Sequence, residues 1–150
     1  MGIVLNKPMD GLKLPDLLDQ LDIPMTIAVP NSDVLEGGPV GTDRGFVLHS
    51  GDYQCEGATM DVADDIFLTA TRDVLHAIAT EEAPEHSILA LGYSGWGAGQ
   101  LEMEIRENAW IIGQPEPALL YGGEHDLKWE RALDAIGVSS GRLQSSPGRA

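Results

Sequence analysis

The stretch Ser87-Ile88-Leu89-Ala90-Leu91-Gly92-Tyr93-Ser94-Gly95-Trp96-Gly97-Ala98-Gly99-Gln100-Leu101-Glu102 decides the fold. Its first half is a near-continuous apolar run, the pattern of a central strand buried on both faces. Its second half sets four glycines within eight residues, from Gly92 to Gly99. Beyond them Leu101 and Ile105 stand four apart, and Glu102 precedes Arg106 in the favourable i, i+4 order, so a short helix follows. A buried strand that runs through a glycine corner into a helix needs cover on both faces.

The rest of the chain supplies strands and helices in irregular alternation. Upstream, Gly45–His49 and Ile66–Leu68 read as strands, and Gly37-Gly38-Pro39 punctuates the chain before them. Thr71 is placed to cap a helix carrying Val74, Leu75 and Ile78 on one side. Leu14, Leu17, Leu18 and Leu21 repeat at i, i+3, i+4, i+7 around Pro15, which suits the first turn of a helix ending near Pro24. Ile3-Val4-Leu5 reads as a short strand stopped at Asn6-Lys7-Pro8. Downstream, Trp110-Ile111-Ile112 reads as a strand. Asp126 is placed to cap a last helix bearing Trp129, Leu133 and Ile136, which Gly137 stops. Residues 1–138 are thus expected to form a single α+β domain, and residues 139–150, rich in Ser, Gly and Pro, a flexible tail.

Bulk composition excludes several classes. The 150 residues carry nine Lys+Arg against 24 Asp+Glu, a net charge of −15. Such a field repels polyanions, and no two basic residues are adjacent, so direct nucleic-acid binding is not expected. No run approaches the roughly 20 apolar residues of a membrane span. Met1–Pro8 lacks the charged and apolar regions of a signal peptide, and Cys55 has no partner for an intrachain disulfide. Cytoplasmic residence is the resulting expectation, as a monomer or homodimer.

The motifs that carry chemistry are incomplete. Gly92-Tyr93-Ser94-Gly95-Trp96 approaches a nucleophile elbow but has Trp96 where the last glycine belongs. Gly95-Trp96-Gly97-Ala98-Gly99 has the wrong spacing for a dinucleotide fingerprint, and Gln100 stands where a P-loop needs Lys. Backbone N–H groups at the start of the following helix could hold an anion, with Tyr93 and Trp96 as apolar walls, although glycine's freedom alone explains a tight corner. His49, His76, His86 and His125 show no metal spacing; His76 and His125 read as solvated or locally bonded. Asp61, Asp64 and Asp65 do not match a calcium loop. Cys55 lies among acids, which disfavours a thiolate. No metal or cofactor is expected. Lys7 and Arg44 remain as scarce cations, each with an ion pair to one of the many acids as its simplest role.

These segments together resemble the YqgE/AlgH family of small bacterial proteins. The resemblance is carried by Met1–Pro8, Gly37–Val40, Arg44–His49, Leu68–Thr71, Gly92–Trp96, Gly99–Glu102, Glu107–Trp110 and Lys128-Trp129, in order along nearly the whole chain. It implies an α+β fold: a bent or bifurcated, mostly antiparallel sheet forming a pseudo-barrel, flanked by about four helices. It also implies a transcriptional-regulator label resting on indirect grounds. Family members carry a further lead, with a strand, before the segment matching Gly2–Pro8. Truncation of that lead is the expectation here, and it would leave an unpaired strand edge or exposed apolar surface.

The favoured function is a non-catalytic binding or regulatory protein with an unknown protein or small-molecule partner. Its cleft would lie at strand-end turns, where sites usually sit, and would use Asn6, Lys7, Pro8, Gly37, Gly38, Pro39, Arg44, His49, Tyr93, Ser94, Trp96 and Gln100. One alternative is a hydrolase-like enzyme using Ser94 or His49 with an acidic partner. The other is a transcriptional regulator acting through a protein rather than by touching DNA.

Overall fold

The apolar run at Ser87 does lie at the centre of a sheet. A computed structural model describes residues 1–139 and Gly141. The elements are β1 (Pro8–Lys13), α1 (Leu14–Gln20), β2 (Asp33–Glu36), β3 (Val40–His49), β4 (Thr59–Ala63), β5 (Ile66–Thr69), α2 (Arg72–Ile78), β6 (Ser87–Tyr93), α3 (Gln100–Arg106), α4 (Pro117–Tyr121) and α5 (Lys128–Ala135), with a 3₁₀ turn at His125–Leu127 before α5. The strands form one six-stranded sheet in the order β1-β2-β6-β3-β5-β4. Only β2 and β6 run parallel; the other pairs are antiparallel. The α+β expectation therefore holds, as a mixed sheet that stays open among the described residues, with five α-helices. The expected tail lies almost wholly outside the described residues.

The two faces of the sheet are covered unequally. On one, Val34, Val47 and Leu89 meet Leu14, Leu17 and Leu18 of α1 and Val74, Leu75 and Ile78 of α2. The leucine spacing of α1 and the Val74–Ile78 stripe of α2 exist to close this face. Each fully buried aliphatic chain contributes about 1.5–3 kcal/mol by leaving water. On the other face Leu35, Phe46, Leu48, Ile66, Leu68, Ile88 and Ala90 form a second cluster. Its cover is thinner: Ile3 and Leu5 from the N-terminus, and Leu120 and Tyr121 from α4.

Four local expectations need correcting. Ile3-Val4-Leu5 is not a ladder strand. Gly2 exchanges backbone bonds with Ser94, while Val4 N–H donates to Gly37 O at 2.8 Å, so the segment straps two separate elements together. The strand begins instead at Pro8, which suits a first position because it has no N–H to donate. Trp110-Ile111-Ile112 forms no strand and is exposed, Ile112 by 67%; a β-prone run without a neighbouring strand has nothing to bond to. Thr71 sits at the N-cap of α2, but its hydroxyl makes no cap bond. Asp126 lies in the 3₁₀ turn, and Leu127 takes the N-cap of α5.

Candidate functional site

Of the expected strand-end cleft, Gly37, Gly38 and Gly92 come together as a direct backbone contact. A Cβ on Gly37 would lie 2.3 Å from Gly92 O, and one on Gly38 would lie 2.2 Å from the Tyr93 carbonyl carbon. Gly38 and Gly92 also hold positive φ of 154° and 76°. Backbone packs directly on backbone, so these glycines serve a close approach. Ser94 is locked into the bridge with Gly2 by its own N–H and O. It has extended pairing rather than the strained turn of a nucleophile elbow.

The remaining expected residues are dispersed. Asn6, Lys7 and Pro8 precede or open β1, and Lys7 pairs with Glu36 at 2.8 Å. Pro39 follows the Gly37–Gly38 contact into β3. Arg44 lays its guanidinium over the Phe46 ring at 5.9 Å and, among the described residues, has no carboxylate within 4 Å, so the expected ion pair is replaced by a cation–π contact. Phe46 in turn meets Tyr93 edge to face. Gln100 turns its side chain back: Oε1 accepts from Gly97 N–H and Nε2 donates to Glu104. This closes a local loop just before α3, whose N-cap Gly99 has no side chain to cap the helix. Arg106 donates to the Glu102 carbonyl rather than to its carboxylate.

His49 belongs to a closed network. It is 0% exposed, with Nδ1 2.9 Å from Ser50 O and Nε2 2.9 Å from Thr69 Oγ1. A carbonyl only accepts, so Nδ1 carries the proton and Nε2 accepts from Thr69. Thr59 then donates to Thr69, and Cys55 N–H donates to Thr59. His49 pairs with Ser87 at one end of β6, and Ser94 follows the other end, seven residues on; at about 3.3 Å per residue they are on the order of 20 Å apart. The two side chains proposed for hydrolysis are therefore separated, and His49 is sealed.

Two groups that the sequence did not single out are more perturbed. Lys128 is 7% exposed and donates to Leu5 O at 2.9 Å and Leu120 O at 2.7 Å. Burial pushes its amine down to about 8. It clasps the N-terminal strap to α4 from the last helix. His125, expected to be solvated or locally bonded, is buried beside it, with Nε2 3.6 Å from Asp33 Oδ2 and Nδ1 without a partner among the described residues. Burial, then the Lys128 charge, lowers its pKa. Asp33 also accepts from Lys13 at 2.5 Å. Lys128 was visible in the sequence only as a cation beside Trp129; its carbonyl partners lie 123 and 8 residues away.

An apolar groove lies on the thinly covered face, and a larger hollow of about 580 Å³ lies between Trp110–Pro115 and the helices α4 and α5. A groove of about 340 Å³ is bounded by Met1–Ile3 and Leu5 on one side and by Met60, Val62, Ile66 and Leu68 on the other. Leu48 forms part of its floor, and Leu120 closes one end. Beside α3 stands a second unusual group. Glu104 Oε2 accepts from both Trp96 Nε1 (3.1 Å) and Trp110 Nε1 (2.7 Å), and the rings meet edge to face. These bonds, Trp110 first, hold the Glu104 carboxyl below its ordinary range. Among the described residues no three His, Cys, Asp or Glu side chains converge as a metal site would require, and no helix is long and apolar enough to cross a membrane.

An open mixed sheet, sealed by helices on one face and grooved on the other, defines an α+β protein. Residues 1–141 match the AlgH-like family model. A UPF0301 protein of Caulobacter vibrioides strain NA1000 is 45% identical over 100% of this chain and 77% of its own length. A UPF0301 protein of Rhodopseudomonas palustris strain HaA2 is 46% identical, over 100% of this chain and 72% of its own. The solution structure of the AlgH protein from Pseudomonas aeruginosa superposes with a TM-score of 0.72 at 38% identity, covering 100% of this chain and 79% of that one. The chain belongs to the AlgH-like family of UPF0301 proteins.

Proposed function

We propose that this is a non-catalytic binding protein of the bacterial cytoplasm, acting in regulation by holding a protein partner on the grooved face of its sheet. The observation that carries this reading is the contrast between the two faces. One is closed by two helices, while the other leaves an apolar groove beside exposed Met60 and Val62. Surfaces of that kind mark interaction sites. The catalytic alternative lacks its parts, since His49 has no free nitrogen and Ser94 lies at the far end of β6. The turn residues Asn6–Pro8, Gly37–Pro39 and Tyr93–Trp96 serve binding indirectly, by anchoring the strap that borders the groove. Direct DNA contact is disfavoured by the −15 charge.

The test is photo-crosslinking in cells from an unnatural residue at Val62, with Asp19 on the sealed face as control. A discrete adduct from Val62 alone supports the reading. Equal labelling from both positions overturns it. So does a hydrolytic activity that Ser94→Ala abolishes.

A further inference from the structure

The outer edges of the sheet are finished differently. β1 opens with Pro8, passes through Gly11 at φ 70°, and ends at Lys13 bonded to Asp33. Proline, irregular backbone and lysine are the devices that keep an edge from pairing with a foreign strand. β4, of sequence Thr59-Met60-Asp61-Val62-Ala63, has neither proline nor lysine. Its one irregularity is a register shift between Asp61 and Ala63, which leaves Thr59–Asp61 regular. Met60 and Val62 are 59% and 53% exposed, and both border the apolar groove.

Charge identifies what fits this edge. Between Arg44 and Arg72 the chain carries Asp52, Glu56, Asp61, Asp64 and Asp65, and no Lys or Arg. Asp61, Asp64 and Asp65 are exposed on β4 and the turn that follows it. A second copy pairing through the same edge would bring its own Asp61, Asp64 and Asp65 against these, and like charges across an interface are costly. A cationic strand meets no such penalty.

We propose that the β4 edge takes up an extended peptide segment from a partner protein, alternating apolar residues with Lys or Arg. The segment adds as a seventh strand beside Thr59–Asp61. Its apolar side chains enter the groove at Met60, Val62 and Leu68, and its cations face Asp61, Asp64 and Asp65. Main-chain bonds supply affinity, while alternate side chains supply selectivity. The proposal rests on the binding reading above and names its partner class.

The test is an NMR titration of the ¹⁵N-labelled protein with three blocked seven-residue peptides: alternating Val-Lys, Val-Glu and Ser-Lys. Val-Lys is expected to shift Thr59–Ala63 and Ile66–Leu68 selectively, with affinity falling as salt rises. Asp61→Lys/Asp64→Lys, which alters only exposed side chains, is expected to weaken it at least tenfold. Equal binding of Val-Glu overturns the charge argument, and equal binding of Ser-Lys overturns the role of the groove. Shifts of the β4 signals with protein concentration alone would make a second copy the occupant and also overturn the proposal. If the Val62 crosslink persists in cells while Val-Lys leaves β4 unmoved, the cationic-strand proposal falls and the binding reading stands.

Discussion

The two faces of the sheet solve the same problem with different completeness. One presents Val34, Val47 and Leu89, the other Leu35, Phe46, Leu48, Ile66, Leu68, Ile88 and Ala90. The α1/α2 face sets helical leucines against them and closes. The other face is spanned by a strap, a five-residue helix and a lysine clasp. A face closed by amphipathic helices is robust because each contact is backed by several others. A face closed by one strap stays adaptable, and adaptability is what a binding surface needs.

The largest effect that would break this comparison lies where the faces share a support. Gly38→Ala drives a Cβ into the Tyr93 backbone. We expect loss of the folded protein at 37 °C, read as collapse of amide dispersion in the NMR spectrum; a folded variant would mean that the corner can give way. Next is Leu18→Ala on the sealed face, expected to cost about 2–5 kcal/mol in chemical denaturation, against under about 1 kcal/mol for Met60→Ala at the groove, since only the first empties a closed core. Equal losses would show the faces to be equally packed. Thr69→Val leaves the buried His49 Nε2 without a donor and is expected to cost about 1–3 kcal/mol by the same measurement.

The clasp gives a pH test. The Lys128 amine falls to about 8 in the folded chain from an ordinary 10.5. Between those values the unfolded chain binds more protons, so stability rises with pH from about 8 upward. Urea midpoints at pH 7.5 and 9.5 are expected to rise in the native protein and to rise less in Lys128→Met. The smallest effect is Glu104→Gln. It leaves stability within about 0.5 kcal/mol, as exposed substitutions usually do, yet shifts tryptophan emission because both indoles bond to that carboxylate.

Much of this was legible where the signal is local. The leucine spacing located α1, the apolar run located β6, and Gly37-Gly38 with Gly92 located a corner, because period and glycine content act over a few residues. The errors were of long range. Ile3-Val4-Leu5 and Trp110-Ile111-Ile112 both look like strands, but a strand is made by its neighbour, and neither has one for its whole length. Lys128 and His125 acquire their character from Leu5, Leu120 and Asp33, and nothing beside them in the chain announces those partners. The turns at Gly37-Gly38 and Gly92-Tyr93 are places where the chain meets itself, a contact between residues more than 50 apart that no local pattern encodes.

The bond from Lys128 to Leu5 joins residues 123 apart. A ribosome adding roughly 5–20 residues per second emits Leu5 long before its anchor exists. For roughly 6–25 seconds at those rates the strap has no clasp, and for roughly the last 2–7 of them α1, α2 and all six strands are already made. The sealed face is free to form during synthesis, whereas the grooved face must wait for the last helix. Its apolar floor is therefore first offered to whatever waits at the ribosome exit, before the protein's own strap is fastened beside it.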